Sequence, residues 1–259
     1  MKVIVCIKQV PNTNKVRLDP ETGTLIRKGV PSIINPDDKA GLEAALVLKD
    51  KHGAHVTVLT MGPPQADLAL REALAMGADE AILLTDRAFG GADTWATSST
   101  IAAALKGMEY DLIITGRQAI DGDTAQVGPQ IAEHLGLTSI TYAEDLKLEG
   151  DSVIVKRQYE DRYHVLKAKL PCLVTALTEM NKPRYMTPGG IFEAYSKDVK
   201  VLGRADIVID DANLGLKGSP TRVFKSFTKP VKGQGTKVEL DAQESASWLV
   251  QRLQEKFIL

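Results

Sequence analysis

The segment DLIITGRQAIDGDTAQVG, residues 111–128, begins as a strand and then changes character. Apolar residues lead into Thr115-Gly116, and an acidic loop of small residues follows before a helical pattern. Loops of this kind join a strand to the next helix of a parallel sheet, and ligands bind beyond the carboxyl ends of such strands. The segment therefore predicts a connection that holds a ligand.

Strand and helix patterns alternate on both sides of this segment. Continuous apolar runs predict buried strands, and helical patterns separate them. The strands are expected at 3–7, 56–62, 81–84 and 111–116, and the helices at 35–53, 68–77, 92–108 and 123–136. Such alternation is typical of parallel sheets covered on both faces. The predicted fold class is therefore α/β: an open, mostly parallel, Rossmann-like sheet with helices on both faces.

The second half of the chain is organised differently. Residues 17–29 already suggest one hairpin, and alternation in 153–159 and 163–169 predicts an antiparallel hairpin at one sheet edge. Residues 193–240 show no sustained period, whereas 241–259 is helical. One stripe of that helix carries its apolar residues, Ala246, Leu249, Val250, Leu253 and Phe257. We therefore expect an α/β domain over 1–192 and an extended arm over 193–259. The arm would pack on a partner subunit or, alternatively, fold back on its own domain.

Composition and charge exclude several classes of protein. The net charge of -1 lacks the basic footprint of a nucleic-acid binder. No apolar run approaches the ~18 residues of a membrane span, and the first residues do not read as a signal peptide. Cys6 and Cys172 both lie in apolar runs, which fits core positions and a reducing cytoplasm. The four histidines lack ligand spacing, so no metal site is predicted.

Polar and glycine-rich loops follow four of the predicted strands. Two of them, Gly90-Gly91 before Asp93-Thr94 and the loop 121–127, stand where free helix N–H groups favour an anion. Asp121 and Asp123 would repel a phosphate if both faced it. We therefore expect one of them to cap the helix, the N–H groups of 124–127 to meet the phosphate, and the other acid to serve a ribose or structural bonds. Together the loops predict a nucleotide site.

Other familiar site motifs are missing from the sequence. It contains no G-x-x-x-x-G-K-[ST] and no G-x-G-x-x-G, so neither a P-loop nor the usual dinucleotide fingerprint is present. No G-x-S-x-G marks a hydrolase elbow. The nucleotide site would therefore have to be built from the loops described above.

These loops, in this order, resemble the beta subunit of electron-transferring flavoproteins. The matching stretches are IVCIKQVP, INPDD, LTMGPPQ, ALAMGADEAILL, GRQAIDGDTAQVGPQIAEHLG, LPCLVTAL and NKPRYMTPGG, which together span nearly the whole chain. The resemblance implies a heterodimer with a larger alpha subunit and an adenine nucleotide bound by these loops.

Two versions of the family differ in that nucleotide. The housekeeping type holds a structural AMP, whereas the electron-bifurcating type holds a second FAD. That FAD accepts hydride from NADH, then passes one electron to ferredoxin or flavodoxin and the other through the alpha-subunit FAD to a dehydrogenase. The stretch RAFGGADTWATS, residues 87–98, resembles the bifurcating version. Gly90-Gly91 would give room for a second phosphate-bearing group, and an AMP would not reach this loop.

The resemblance also carries site residues. Around the adenylate it implies Cys6, Asn35, Asp38, Met61, Gly116, Asp121, Gly122, Asp123, Thr124, Ala125, Gln126 and Val127. Thr94 and Thr97 would lie near the isoalloxazine, and NADH would approach from Phe89, Gly90, Gly91 and Ala92. No catalytic side chain is implied, because hydride transfer needs stacking geometry and a tuned flavin. NADH oxidation would require the complex with the alpha subunit and the dehydrogenase.

Two stretches depart from the family pattern. Arg162 follows Glu160-Asp161 where a glycine is usual, and IFEAYSKDVK, residues 191–200, replaces a lysine cluster in the partner-recognition loop. The partner could thus act on an acyl-CoA or on a hydroxy acid. A stand-alone ATP-binding regulatory domain is the alternative from another class, since GGADT is similar to the phosphate loop of ATP pyrophosphatases. That loop belongs after the first strand, however, and here it follows the third.

Overall fold

The computed structural model describes residues 1–12, 31–224 and 233–259. They fall into two compact units, Met1–Val223 and Phe224–Leu259. The hairpin predicted at 17–29 lies outside the described residues.

The first unit alternates strands and helices and then adds a strand-rich second half. Its strands are β1 Lys2–Cys6, β2 Gln9–Pro11, β3 Ser32–Ile34, β4 His55–Met61, β5 Glu80–Leu84, β6 Leu112–Gly116, β7 Thr138–Glu149, β8 Ser152–Gln158, β9 Tyr163–Lys169, β10 Cys172–Ala176 and β11 Val199–Leu202. Its α-helices are α1 Pro36–His52, α2 Asp67–Met76, α3 Thr94–Leu105, α4 Val127–Leu135 and α5 Pro188–Ser196.

Nine of these strands form the main sheet, in the order β11-β5-β4-β1-β6-β10-β7-β8-β9. Every pair from β11 to β7 is parallel, whereas β8 pairs antiparallel with both β7 and β9. The mostly parallel sheet and the antiparallel edge hairpin are both confirmed. The short β2 and β3 pair antiparallel in a separate sheet.

Alternate side chains of the central strands enter two separate cores. Val3 and Val5 of β1 pack with apolar residues of α1 and α2, while Ile4 and Cys6 pack with those of α3 and α4. Because the strands are buried on both faces, they read as continuous apolar runs. The helices therefore cover both faces of the sheet, as predicted.

Helix ends follow the signals in the sequence with one exception. Gly53 ends α1 and Gly136 ends α4, each with a left-handed φ of 65°. Helix α4, however, begins at Val127 rather than at 123. Asp123 and Ala125 have φ values of 54° and 52°, which are costly for side chains with a Cβ and incompatible with a right-handed helix.

The boundary after residue 192 differs from the division in the structure, which falls after Val223. Residues 193–202 complete α5 and then form β11, which pairs with β5 along the register Val199↔Ala81 to Leu202↔Leu84. The four-residue strand VKVL is too short to give a clear period. This part of the predicted arm thus folds back on its own domain.

The second unit contains one α-helix among its described residues, α6, Ala242–Glu255. The Asp241 carboxylate caps it by accepting a hydrogen bond of 2.8 Å from the Glu244 N–H. Of the apolar stripe, Leu249 is 53% and Val250 45% exposed, whereas Leu253 is half-buried. Phe257 follows the helix and is 96% exposed.

Candidate functional site

The strand order reverses direction between β1 and β6. From β1 the chain first adds β4 and β5 on one side, then β6 and β10 on the other. Parallel sheets open a crevice at such a point, beyond the carboxyl ends of the two strands. The loops that leave Cys6 and Gly116, together with the start of α1, form the edge of this crevice.

Asp38, in the first turn of α1, holds the two strand ends together. One of its carboxylate oxygens accepts from the Lys8 N–H at 2.7 Å, and the other accepts from the Gly116 N–H at 3.0 Å. Gly116 allows this approach, because a Cβ there would overlap the Asp38 carboxylate and lie 2.8 Å from the Asp38 nitrogen. Burial raises the pKa of Asp38 to about 7. Asp38 is thus a clamp beneath the crevice rather than an exposed ligand.

Asn35 has a similar bridging role. Its side chain does not cap α1, although Asn35 occupies the cap position. Instead Nδ2 donates to the Gln118 carbonyl at 2.8 Å, and Oδ1 accepts from the Ile120 N–H at 3.0 Å. The side chain is completely buried. Asn35 therefore fixes the loop after β6 against the start of α1.

Lys8 and Asp121 form the charged contact of the crevice. The Lys8 ammonium lies 2.6 Å from Asp121 Oδ1, where the Asp121 side chain is 4% exposed and the Lys8 side chain 43%. Asp121 is therefore turned inward on a lysine. The interpretation that one of the two aspartates caps α4 is wrong, because Gln126 occupies the cap position and makes no side-chain capping bond. Asp123 instead accepts a hydrogen bond from the Gln118 amide.

The loop before α4 presents backbone groups. Turn hydrogen bonds reach the Ala119 carbonyl from the N–H groups of Gly122 and Asp123. Among the described residues, nothing accepts from the N–H groups of Thr124, Ala125 or Gln126. Thr124 and Gln126 are exposed. These groups precede a helix whose dipole favours an anion, as the sequence predicted for this loop.

Two of the expected site residues contribute packing. Cys6 is 7% exposed, packs in the core beside α3 and α4, and has a pKa raised by burial to about 12. Met61 ends β4 half-buried against the same core. They line the floor of the sheet edge, and neither offers a reactive group.

The loop after β5 is closed by a later part of the chain. Phe89 is 4% exposed and packs in the core, so its side chain offers no surface to a ligand. The Gly90 carbonyl accepts from the Leu216 N–H at 2.9 Å. Gly91 has a φ of 72°, and a Cβ there would lie 3.1 Å from Leu216 Cβ. Ala92 beside it is half-buried. The glycine pair therefore makes room for segment 214–221.

Asp93 caps α3 by accepting from the Ala96 N–H at 3.0 Å. Its other oxygen accepts from the Thr221 N–H and hydroxyl at 3.0 and 2.7 Å, and its own N–H donates to Ser219 at 2.8 Å. Although burial opposes ionisation, these hydrogen bonds lower the pKa of Asp93 below its ordinary value. The carboxylate and the N–H of Asp93, at the start of α3, are thus already bonded within the chain.

One hydrogen bond links the two loops. The Thr94 hydroxyl donates to Gln126 Oε1 at 2.9 Å, which joins the start of α3 to the loop after β6. Thr97 lies one turn further along α3 and is half-buried. The structure thus brings Thr94 to the edge of the crevice.

A separate cleft of about 600 Å³ lies on the β7 and β8 side of Arg117. Arg117 lies 3.4 Å from Asp37 Oδ2 and stacks over Tyr142, which has a φ of 58°. The wall of the cleft includes Arg157 and the stretch 158–162, which carries Glu160, Asp161 and Arg162. Arginines and acids together therefore line this cleft.

Sequence reasoning missed the roles of Lys8 and Gln118. Lys8 is the first charged residue after the apolar run of β1, a signal that a strand end at the binding edge could have provided. Gln118 supplies a carbonyl to Asn35, which lies 83 positions away in sequence, and an amide to Asp123 in its own loop. Within the described ranges, no group of three or more His, Cys, Asp or Glu side chains could hold a metal.

Residues 22–207, most of the chain, match the electron transfer flavoprotein domain. The chain belongs to the electron transfer flavoprotein family. Among its relatives is the electron transfer flavoprotein subunit beta of Clostridium acetobutylicum, 61% identical over 256 residues that cover 99% of both chains. This protein is accordingly a beta subunit of that family.

Two further electron transfer flavoprotein relatives are described by the complexes they belong to. Subunit CarD of the caffeyl-CoA reductase-Etf complex from Acetobacterium woodii is 56% identical over 262 residues, covering 100% of both chains. The acryloyl-CoA reductase electron transfer subunit gamma of Anaerotignum propionicum is 49% identical over 268 residues, again covering 100% of both. No helix in the described parts of this beta subunit is long and apolar enough to cross a membrane.

Proposed function

We propose that this beta subunit binds FAD with its adenylate in the crevice between β1 and β6. With its alpha subunit, in the cytoplasm, it would transfer electrons from NADH to a partner acyl-CoA or hydroxy-acid dehydrogenase and to ferredoxin or flavodoxin. The observation that carries the nucleotide proposal is the loop 119–126, whose N–H groups precede α4 and whose Asp121 contacts the Lys8 ammonium. Such a set of donors suits a phosphate.

The residues present fit a nucleotide. The sheet edge is shaped by Gly116, where a side chain has no room, and by an exposed loop with glycine at position 122. Asn35 and Asp38 hold that loop and the end of β1 in fixed positions, so that the donors are preorganised. When bound, FAD supplies the capacity to take up two electrons with a hydride and release them singly.

In this proposal the chain's own residues bind and orient the cofactor. The N–H groups of 124–126 and the Lys8 ammonium would hold phosphate oxygens, while Thr94 keeps Gln126 at the crevice edge. Binding and positioning thus account for the contribution of this subunit.

The names of two relatives support electron delivery to a reductase. One belongs to a caffeyl-CoA reductase complex, and the other is an electron transfer subunit of acryloyl-CoA reductase. A reductase consumes electrons, so a subunit serving it needs a donor such as NADH. The same reasoning favours an acyl-CoA substrate for the partner of this chain.

The loop after β5 supports FAD less directly than the sequence suggested. Its glycines make room for Leu216, which explains their presence without a second phosphate group. Thr94 and Thr97 remain the residues proposed beside the isoalloxazine, with residues 89–92 on the NADH side. The choice between FAD and a structural AMP therefore depends on a cofactor count.

That count is the experiment that tests the proposal. The chain is co-expressed with its alpha subunit, the purified heterodimer is denatured, and FAD and AMP are quantified. Two FAD and no AMP are expected, followed by bleaching of the flavin absorbance on addition of NADH. One FAD with one AMP would replace the proposal by the housekeeping role. Binding of ATP without any flavin would favour a regulatory domain instead.

We also propose that residues 224–259 pack on the alpha subunit. Two residues of the apolar stripe of α6, Leu249 and Val250, are exposed. A chain ending at Val223 is expected to retain its sheet but to lose co-purification with the alpha subunit. Leu249→Asp in the full chain should weaken the complex in the same direction, whereas Gln251→Asp on the same helix should not. Unchanged complex formation by both the truncated chain and Leu249→Asp would overturn this assignment.

A further inference from the structure

The crevice between β1 and β6 has an excess of carboxylates for a site that takes a phosphate. Asp37, Asp38, Asp121 and Asp123 all belong to its loops or to the start of α1. Of the two cations in the contacts described above, Arg117 lies against Asp37. The other is Lys8, at the end of β1. Among the described residues, Lys8 is therefore the cation in contact with the loop proposed to receive an anionic ligand.

The backbone of Lys8 is fixed, while its side chain remains partly accessible. Its N–H donates to Asp38 at 2.7 Å, and its carbonyl accepts from the Asn35 N–H at 2.9 Å. The side chain then crosses to Asp121 and keeps 43% of its surface exposed, whereas the Asp121 side chain keeps 4%. The carboxylate thus faces inward, and the ammonium lies between it and solvent.

An ammonium has three N–H donors, and the contact with Asp121 Oδ1 at 2.6 Å uses one of them. The remaining donors can reach a phosphate oxygen. On this basis we propose that Lys8 binds the phosphate of the nucleotide, and that Asp121 orients the ammonium and sets how much of its charge the ligand experiences. The inference rests on the proposed nucleotide site and assigns its charge recognition to one residue pair.

Phosphate recognition by Lys8 and a purely structural ion pair predict different changes in ligand affinity when Lys8 or the Asp121 charge is removed. If the ion pair only held the loop against the end of β1, then removing either partner would weaken the binding of nucleosides and nucleotides equally. If Lys8 binds the phosphate, removing Lys8 selectively weakens the binding of the phosphorylated ligand. Removing the Asp121 charge instead strengthens the binding of the phosphorylated ligand, because the Lys8 ammonium is no longer partly neutralised.

The ratio of adenosine Kd to AMP Kd isolates the phosphate contribution. It is measured by calorimetry on the full chain in complex with its alpha subunit, stripped of nucleotide at the beta site. Lys8→Gln is expected to lower this ratio about tenfold or more, and Lys8→Arg to lower it less. Asp121→Asn is expected to raise the ratio. Lys39→Gln, which breaks the half-exposed ion pair with Glu72, should leave it unchanged.

The outcomes separate the two proposals. If the wild-type complex prefers AMP but Lys8→Gln keeps that preference, or if Lys8→Gln and Asp121→Asn weaken adenosine and AMP equally, the Lys8 assignment is overturned and the nucleotide site stands. If the wild type binds neither ligand, the nucleotide site itself is overturned. Should Lys8→Gln fail to fold, Lys8→Arg and Asp121→Asn still decide, since a lowered ratio in Asp121→Asn contradicts the assignment.

Discussion

The loop after β6 and the loop after β5 leave the same edge of the sheet, and both place aspartates and glycines before a helix. In the loop after β5, Asp93 caps the helix and Leu216 fills the space beside Gly91. In the loop after β6, the aspartates turn away from the helix start, and the N–H groups of 124–126 bond to nothing among the described residues. Similar composition therefore serves capping and packing against segment 214–221 in one loop, whereas the aspartates of the other loop are bonded away from its helix.

The lesson is that a glycine-rich connection identifies a binding loop only when the donors it creates remain unsatisfied. Backbone N–H groups at a helix start need partners, which another part of the chain or a ligand can supply. After β5, Ser219 accepts from the Asp93 N–H, and Thr221 donates to the Asp93 carboxylate that caps α3. The following variants test this distinction, beginning with the largest expected effect.

Gly116→Ala should be the most damaging change. A Cβ would overlap the Asp38 carboxylate and lie 2.9 Å from Asp37 Cβ, so the start of α1 would have to move. A loss of about 3 kcal/mol or more in unfolding free energy is expected, together with loss of bound nucleotide. Gly189→Ala, in the first turn of α5, is the matched control, because a Cβ there meets nothing within 4 Å. Thermal unfolding and nucleotide content of both variants check this; equal behaviour would refute the clamp at the switch point.

Asp38→Asn should destabilise the protein by about 1–3 kcal/mol, since its amide nitrogen would face one of two N–H donors. The effect depends on pH. An unfolded aspartate titrates near about 3.9, whereas burial raises the pKa of Asp38 to about 7. The folded state then binds the proton more tightly, so its stability falls as the pH rises from about 4 to 7 and levels off above.

The measurement for Asp38 is denaturant unfolding of wild type and Asp38→Asn between pH 4 and 8. The stability advantage of the wild type should narrow as the pH rises towards 7 and stay constant above it. An advantage that widens over that range would show that the folded protein holds Asp38 ionised instead.

Gly91→Ala tests the packing role of the loop after β5. The residue has a φ of 72°, and the added methyl carbon would lie 3.1 Å from Leu216 Cβ. A loss of about 1–2 kcal/mol is expected, with bound cofactor retained. Gly90→Ala, at a φ of -64°, should cost less. Cofactor loss at unchanged stability would instead mean that the loop contacts the cofactor, and the contrast between the two loops would disappear.

Thr94→Val should have the smallest effect. It removes the hydrogen bond to Gln126 on the surface between the loops, for which a loss of under about 1 kcal/mol is expected. Cofactor affinity should nevertheless fall slightly, because Gln126 is no longer held. Thr97→Val, one turn along α3, separates the two roles. If Thr97→Val weakens flavin binding as much as Thr94→Val does, a direct flavin contact rather than the hydrogen bond to Gln126 explains the result.

Much of the fold was predictable because the buried strands carry their own signal. Strands β1, β4, β5 and β6 and their helices lie close to the predicted ranges, since burial on both faces produces continuous apolar runs. Strand β11 was missed, because its four residues depend on β5 for their pairing. The start of α4 was also misplaced, since the left-handed φ values of Asp123 and Ala125 leave no mark in the composition.

The candidate site was likewise predictable only in part. The sequence by itself determined the α/β class, the edge of the sheet where the loops meet and, through its resemblance, the family. Only the tertiary structure decided that Asp38 clamps two strand ends, that Asp121 turns onto Lys8 and that Leu216 occupies the room beside Gly91. The physical reason is range: periodicity and helix ends depend on neighbouring residues, whereas the partner of a buried polar group is chosen across the sheet, from residues 30 to more than 100 positions away.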